Sequence, residues 1–184
     1  MATTWAVFGG SFDPPHVGHV LAAAYVLSTA PVERVLCIPT FQHAFGKRSA
    51  PFPHRRRMCE LAFGPLRGVE VSDLEARLGG ASYTVRTLRE LAARHPAVGL
   101  RLVVGADLVP EVPSWREGDR LPGLAPLLVV GRAGHGSPGD GRPLMPEVSS
   151  TEVRQRLEAG AEVEGLVPRS VTRYILRHGL YRGE

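Results

Sequence analysis

The segment Gly9-Gly10-Ser11-Phe12-Asp13-Pro14-Pro15-His16-Val17-Gly18-His19 gathers residue types suited to handling phosphate. Two glycines let a backbone turn tightly and approach an anion with no Cβ in the way. Two prolines stiffen the turn and suit the start of a helix. The first amides and positive end of that helix favour an anion. His16 and His19 stand three positions apart, so on a first helical turn both rings can reach the same phosphates. Gly18 between them leaves room for a nucleotide to lie flat against the helix. Rival chemistries fail on the same residues. The strings GxxxxGK[ST] and GxGxxG are absent. The GxSxG elbow is broken by Asp13, and no third zinc ligand is indicated for the HxxH pair.

Such a loop needs a strand before it and a helix after it. Trp5-Ala6-Val7-Phe8 reads as the strand, and Val17, Val20, Leu21, Ala24 and Leu27 recur at helical spacing to about Thr29. Further strands are expected at Arg34–Ile38, Val69–Val71, Leu100–Val104 and Leu127–Val130. Helices are expected at His54–Phe63 and Tyr83–Arg94, with a long loop over 40–53 and a Gly/Pro-rich surface loop over 131–146. Ser149 and Glu152 form a capping box for a further helix. A last helix opens at Pro168, stops at Gly179, and turns Val171, Tyr174 and Ile175 to the core. Short apolar runs alternating with helices predict a Rossmann-like, doubly wound α/β fold. It has a parallel sheet of about five strands, helices on both faces, and ligands beyond the strands' carboxyl ends.

The 184 residues suit one domain, 1–184, large enough to bury a core. A net charge of +4 allows phosphate-bearing partners, but no run of like charges resembles a nucleic-acid tail, so nucleic acid is not expected. Arg55, Arg56 and Arg57 read as a solvated helix face. Cys37 and Cys59 belong to no CxxC pair and are expected as buried free thiols in a reducing, cytoplasmic setting. The longest apolar run, Val20 to Leu27, is far shorter than the ~20 residues of a membrane span. No signal peptide or membrane partner is expected.

The first motif resembles the (T/H)xGH signature of the nucleotidyltransferase superfamily, in the GxFxPxHxGH form of nicotinate-nucleotide adenylyltransferases. Ser82-Tyr83-Thr84-Val85-Arg86-Thr87-Leu88 resembles that family's YTxxTL segment. Gly105-Ala106-Asp107 with Trp115 resembles its GxDxxxxxxxW segment, and Ser149-Ser150-Thr151-Glu152-Val153-Arg154 its SSTxxR segment. The resemblance implies an enzyme that joins ATP and nicotinate mononucleotide into nicotinate adenine dinucleotide with release of pyrophosphate, in NAD biosynthesis. It implies catalytic roles for His16, His19 and Arg154. ATP would be bound by Gly9, Gly10, Phe12, Gly18, Asp107, Ser149, Ser150 and Thr151. Ser11, Lys47, Thr84 and Trp115 would bind the mononucleotide. Magnesium would be held mainly through the ATP phosphates, with no dedicated protein metal site.

The chain departs from the family at Thr40 to Lys47, where His43 and Lys47 keep the residue types of PPHK but not the spacing. Nicotinate against nicotinamide preference therefore stays open, as does homo-oligomerisation. Pantetheine-phosphate adenylyltransferase shares the first motif but lacks the YTxxTL segment and the tryptophan. A non-catalytic nucleotide-binding module would have no need of His16, His19 and Arg154 together.

Overall fold

The computed structural model describes residues 3–43, 46, 49–131 and 145–182. Five strands, β1 (Thr4–Gly10), β2 (Arg34–Pro39), β3 (Val69–Val71), β4 (Gly99–Gly105) and β5 (Leu127–Val130), form one sheet in the order β3-β2-β1-β4-β5. Every neighbouring pair is parallel, with β1 flanked by β2 (Val7 opposite Leu36) and by β4 (Val7 opposite Leu102). The apolar runs are continuous because both faces of a parallel sheet are covered. Ala6, Val35, Cys37 and Val103 enter one core, whereas Val7, Leu36, Leu102 and Val104 enter the other.

Helices α1 (Val17–Thr29), α2 (Phe52–Phe63), α6 (Ser150–Glu158) and α7 (Arg169–His178) cover the first face. They do so with Ala23, Val26, Met58, Phe63, Val153, Val171 and Ile175. The second face is covered by α3 (Leu74–Leu78), α4 (Thr84–Arg94) and α5 (Leu121–Leu124) through Leu74, Val85, Leu88, Leu91 and Leu121. The doubly wound α/β expectation therefore holds. The chain leaves β1 toward β2 and later returns to β1's other side as β4. The carboxyl ends of β1 and β4 thus frame the crevice where such sheets bind ligands.

Some expectations change in detail. Helix α2 starts at Phe52, two residues early, because Pro51 and Pro53 are tolerated before and within a first turn. The short α3 and the 3-10 turns Val109–Ser114 and Gly118–Arg120 were not legible, being too short for a hydrophobic period to register. The capping box at α6 is half made. Ser149 Oγ accepts from the Glu152 amide at 3.1 Å, but the Glu152 carboxylate takes Arg156 instead, at 3.0 Å. Cys37 and Cys59 are free and buried. Among the described residues no helix is long and apolar enough to cross a membrane.

Candidate active site

At the carboxyl edge of β1 and β4 lies a cavity of about 1050 Å³. Its floor is the β1–α1 loop. Phe12 adopts φ 47, a left-handed backbone uncommon for a side-chain-bearing residue, and the Asp13–Pro14 bond is cis. The Phe12 ring is 1% exposed and packs edge-on to Phe8 and Phe63 at centroid distances of 5.4 and 5.8 Å. A Cβ on Gly10 would come within 3.2 Å of that ring, so glycine is what lets the phenyl fold under the loop.

His16 caps α1 and His19 is its third residue. The His16 amide donates to His19 Nδ1 at 3.1 Å, and the two rings stack at 3.7 Å with 25° between planes. A ring nitrogen that accepts leaves the proton of a neutral imidazole on the other, so His19 presents Nε2–H as a donor. A Cβ on Gly18 would lie 3.1 Å from His16 Nδ1 and 3.3 Å from Val148 Cγ1. Gly18 thus makes room first for the His16 ring.

The start of α6 also lines the cavity, and the free first amides of a helix are suited to an anion. Ser150 Oγ donates to the Pro14 carbonyl at 2.9 Å, joining the two helix starts. Arg154 donates from Nη1 to the Asp13 carbonyl at 2.7 Å and from Nη2 to Thr151 Oγ1 at 3.2 Å. Its Nη1 also lies 3.7 Å from Asp13 Oδ2, and the side chain is largely buried. The cation is therefore held in one orientation at the cavity edge.

The far wall is built from the α4 start and the segment after β4. Tyr83, Thr84, Thr87, Asp107, Trp115 and Arg116 line it. The Arg116 guanidinium sits 4.5 Å over the Tyr83 ring, a cation–π arrangement. A side chain on Gly105 would collide with the Asp107 carboxylate. Trp115 both lines the cavity and packs against the second core. After β2 the chain is clamped from this side: Ser82 Oγ accepts from the Phe41 amide at 3.1 Å, and the Phe41 amide also reaches Glu75 Oε2 at 3.1 Å. Ser11 Oγ and His43 Nε2 are 2.8 Å apart across the two loops.

The residues 7–156 match the cytidylyltransferase-like family model. A protein of Anaeromyxobacter dehalogenans named "probable nicotinate-nucleotide adenylyltransferase" is 50% identical over 181 residues, covering 97% of this chain and 96% of its own. A Myxococcus xanthus protein of the same name is 40% identical over 177 residues, covering 96% and 93%. The chain belongs to the nicotinate-nucleotide adenylyltransferase family. Its fold is also that of the Plasmodium falciparum nicotinic acid mononucleotide adenylyltransferase complexed with NaAD, at TM-score 0.85 and 19% identity over 97% of both chains.

Within this member of the nicotinate-nucleotide adenylyltransferase family, the four matching segments converge on the one cavity. Gly9, Gly10, Ser11, Phe12, His16, Gly18 and His19 line it from the first segment, and Thr84 from the second. Asp107, Trp115, Ser149, Ser150, Thr151 and Arg154 line it from the others. Lys47 lies outside the described residues, as does most of the 131–146 loop.

One reading of the sequence is corrected. Arg56 and Arg57 are solvated and pair with Glu60, but Arg55 is 1% exposed. Its guanidinium donates to three carbonyls: Ala50 at 2.8 Å, Ser11 at 2.9 Å and Phe41 at 3.2 Å. Burial lowers its pKa, opposed first by the Asp13 charge. Three neighbouring arginines looked alike in sequence. Only packing under the β1 loop separates them.

Proposed function

We propose that this chain transfers the adenylyl group of ATP to nicotinate mononucleotide, giving nicotinate adenine dinucleotide and pyrophosphate in NAD biosynthesis. The observation that carries the reading is the joining, in one cavity, of a phosphate-suited end (His16, His19, Arg154, two helix starts) with an aromatic end at Tyr83 and Trp115. The 5′-phosphate of the mononucleotide attacks the α-phosphorus of ATP, the bond from that phosphorus to the bridging oxygen breaks, and pyrophosphate leaves with the electron pair. The attacking phosphate is already ionised at neutral pH, so no protein nucleophile is required. Catalysis rests on positioning and on stabilising charge that shifts to the leaving group.

In this reading His19 donates from Nε2 and His16 stands beside it, toward the α- and β-phosphates. Arg154 and the first amides of α6 take the leaving pyrophosphate. Gly9, Gly10, Phe12 and Gly18 shape the loop by backbone and packing, and Asp107 accepts from the ribose of ATP. Ser149 caps α6, Ser150 ties the start of that helix to the β1 loop, and Thr151 steadies Arg154. Together they present the helix start to the ATP phosphates. Ser11 and Lys47 orient the attacking phosphate, while Thr84 and Trp115 bound the pyridine ring. Arg116, stacked on Tyr83 beside them, supplies a positive charge that suits the nicotinate carboxylate. Magnesium enters with the triphosphate as part of the ATP substrate. Among the described residues no group of three or more His, Cys, Asp or Glu is placed to hold a metal ion. Residues 1–184 act as one nucleotidyltransferase domain, and the buried free thiols suit a reducing cytoplasm.

The test is pyrophosphate release by the purified protein with ATP and magnesium, offering nicotinate mononucleotide, nicotinamide mononucleotide and phosphopantetheine in turn. Turnover highest with nicotinate mononucleotide is expected. Turnover on phosphopantetheine alone, or on none of the three, would overturn the reading.

A further inference from the structure

The β1 loop is held from beneath by a residue that none of the four segments includes. Tyr181 stands three positions past the end of α7, with its backbone at φ 58. The turn that aims it is tied by Leu180, whose amide donates to the Ile175 carbonyl at 3.1 Å. Its hydroxyl donates to Asp13 Oδ1 at 2.6 Å. Asp13 is 1% exposed, and the same oxygen accepts from the Ala50 amide at 3.0 Å. Asp13 in turn holds Arg154, through its carbonyl at 2.7 Å and through Oδ2 at 3.7 Å. Tyr181, Asp13 and Arg154 thus form a continuous chain from the last turn of the fold to the edge of the cavity.

We infer that Tyr181 is a positioning residue for adenylyl transfer, acting through the Asp13 carboxylate to hold the Arg154 guanidinium where the leaving pyrophosphate forms. This rests on the function proposed above. An arginine loses much rotamer freedom when it is fixed. A cation fixed before the reaction costs no reorganisation when charge develops. The Tyr181 hydroxyl supplies one of the two donors that stop the Asp13 carboxylate from turning about its own axis. Arg154 takes its orientation from Asp13 on one side and Thr151 on the other, which leaves the remaining N–H groups of its fork for phosphate oxygens. Burial and the Asp13 charge push the Tyr181 phenol well above its usual range, so it stays a donor at any working pH.

The experiment is a double-mutant cycle in the full chain, read by initial rates of pyrophosphate release at saturating ATP over a range of mononucleotide concentrations. Tyr181→Phe should lower kcat by about tenfold, the order expected for a displaced catalytic cation, with KM for the mononucleotide within twofold of wild type. In an Arg154→Ala background the same change should cost less than about twofold, because the group it positions is gone. Equal losses in both backgrounds, or no loss of kcat in either, would overturn the role of Tyr181 and leave only a structural bond. Should Tyr181→Phe fail to fold, Asp13→Asn serves the same cycle, since it keeps an oxygen acceptor but removes the charge facing Arg154. A wild-type protein that releases no pyrophosphate from ATP with nicotinate mononucleotide would instead overturn the proposed function itself.

Discussion

The amide of His16 donates to Nδ1 of His19 at 3.1 Å, so the backbone of one histidine sets the tautomer of the other. The cap of α1 therefore also readies the donor that the proposed reaction would use. His19→Ala should lower turnover by roughly 10²–10³, the usual cost of one lost oxyanion donor. His19→Asn keeps a short donor but not its reach and should recover only part of that. Circular dichroism should stay native, and a turnover loss under threefold would remove His19 from its assigned role.

Gly18→Ala tests how tightly the histidine pair is packed. Alanine improves helix propensity by about 1 kcal/mol, but its Cβ would press on the His16 ring at 3.1 Å. The variant should keep its denaturation midpoint close to wild type while turnover falls on the order of tenfold, since small misplacements at a reacting centre are costly. Steady-state kinetics beside a urea titration would separate the two effects.

Arg55→Met removes a buried cation and leaves the carbonyls of Ser11, Phe41 and Ala50 without their donor. A fully buried acceptor stranded in this way costs about 1–3 kcal/mol. These three bonds are half-buried, so a loss of about 2–3 kcal/mol in urea unfolding is expected. Arg55→Lys should recover little of it. An ammonium is a point donor and does not reproduce the planar fork that spans three carbonyls.

Alkaline pH should weaken the fold through Tyr181 and Cys37. Burial, then the Asp13 charge, raises the Tyr181 phenol above its usual 10.0, and burial, then Cys59, raises the Cys37 thiol above its usual 9.0. The folded state then binds more protons than the unfolded state above those usual values. The stabilisation is complete below them and is lost as pH climbs. Each such group adds a slope of about 1.4 kcal/mol per pH unit. Urea midpoints should be level near pH 7 to 8 and fall above pH ~9, and the fall should be shallower above pH ~10 in Tyr181→Phe.

Much of this site is readable in one dimension because the end built from residues 5–19 is local. The strand, glycines, prolines and histidines of residues 5–19 follow one another along the chain, and the Ser149 cap announces α6 by residue type alone. What stayed hidden depends on partners far away. Arg55 differs from Arg56 and Arg57 only in which direction its helix position faces. Glu75 is invisible as a clamp until Thr87 and Phe41 meet it, at 2.9 and 3.1 Å. Tyr181 reads as an aromatic after a helix stop, and its aspartate lies 168 residues earlier. The half-made capping box shows the converse case, since a sound local rule lost Glu152 to a neighbouring arginine one turn on.

The bonds that hold the β1 loop bear on how the protein emerges during synthesis. Ser150, Arg154 and Tyr181 reach back across 136, 141 and 168 residues to Pro14 and Asp13. Contacts this distant are slow to form, because the intervening chain must be gathered first. The loop is thus made early on the ribosome, and its supports arrive only once Ser150, Arg154 and Tyr181 have followed it. A nascent chain that already has its first strand and helix still lacks these supports, so the finished edge of the cavity is a late product of folding rather than a property of its first motif.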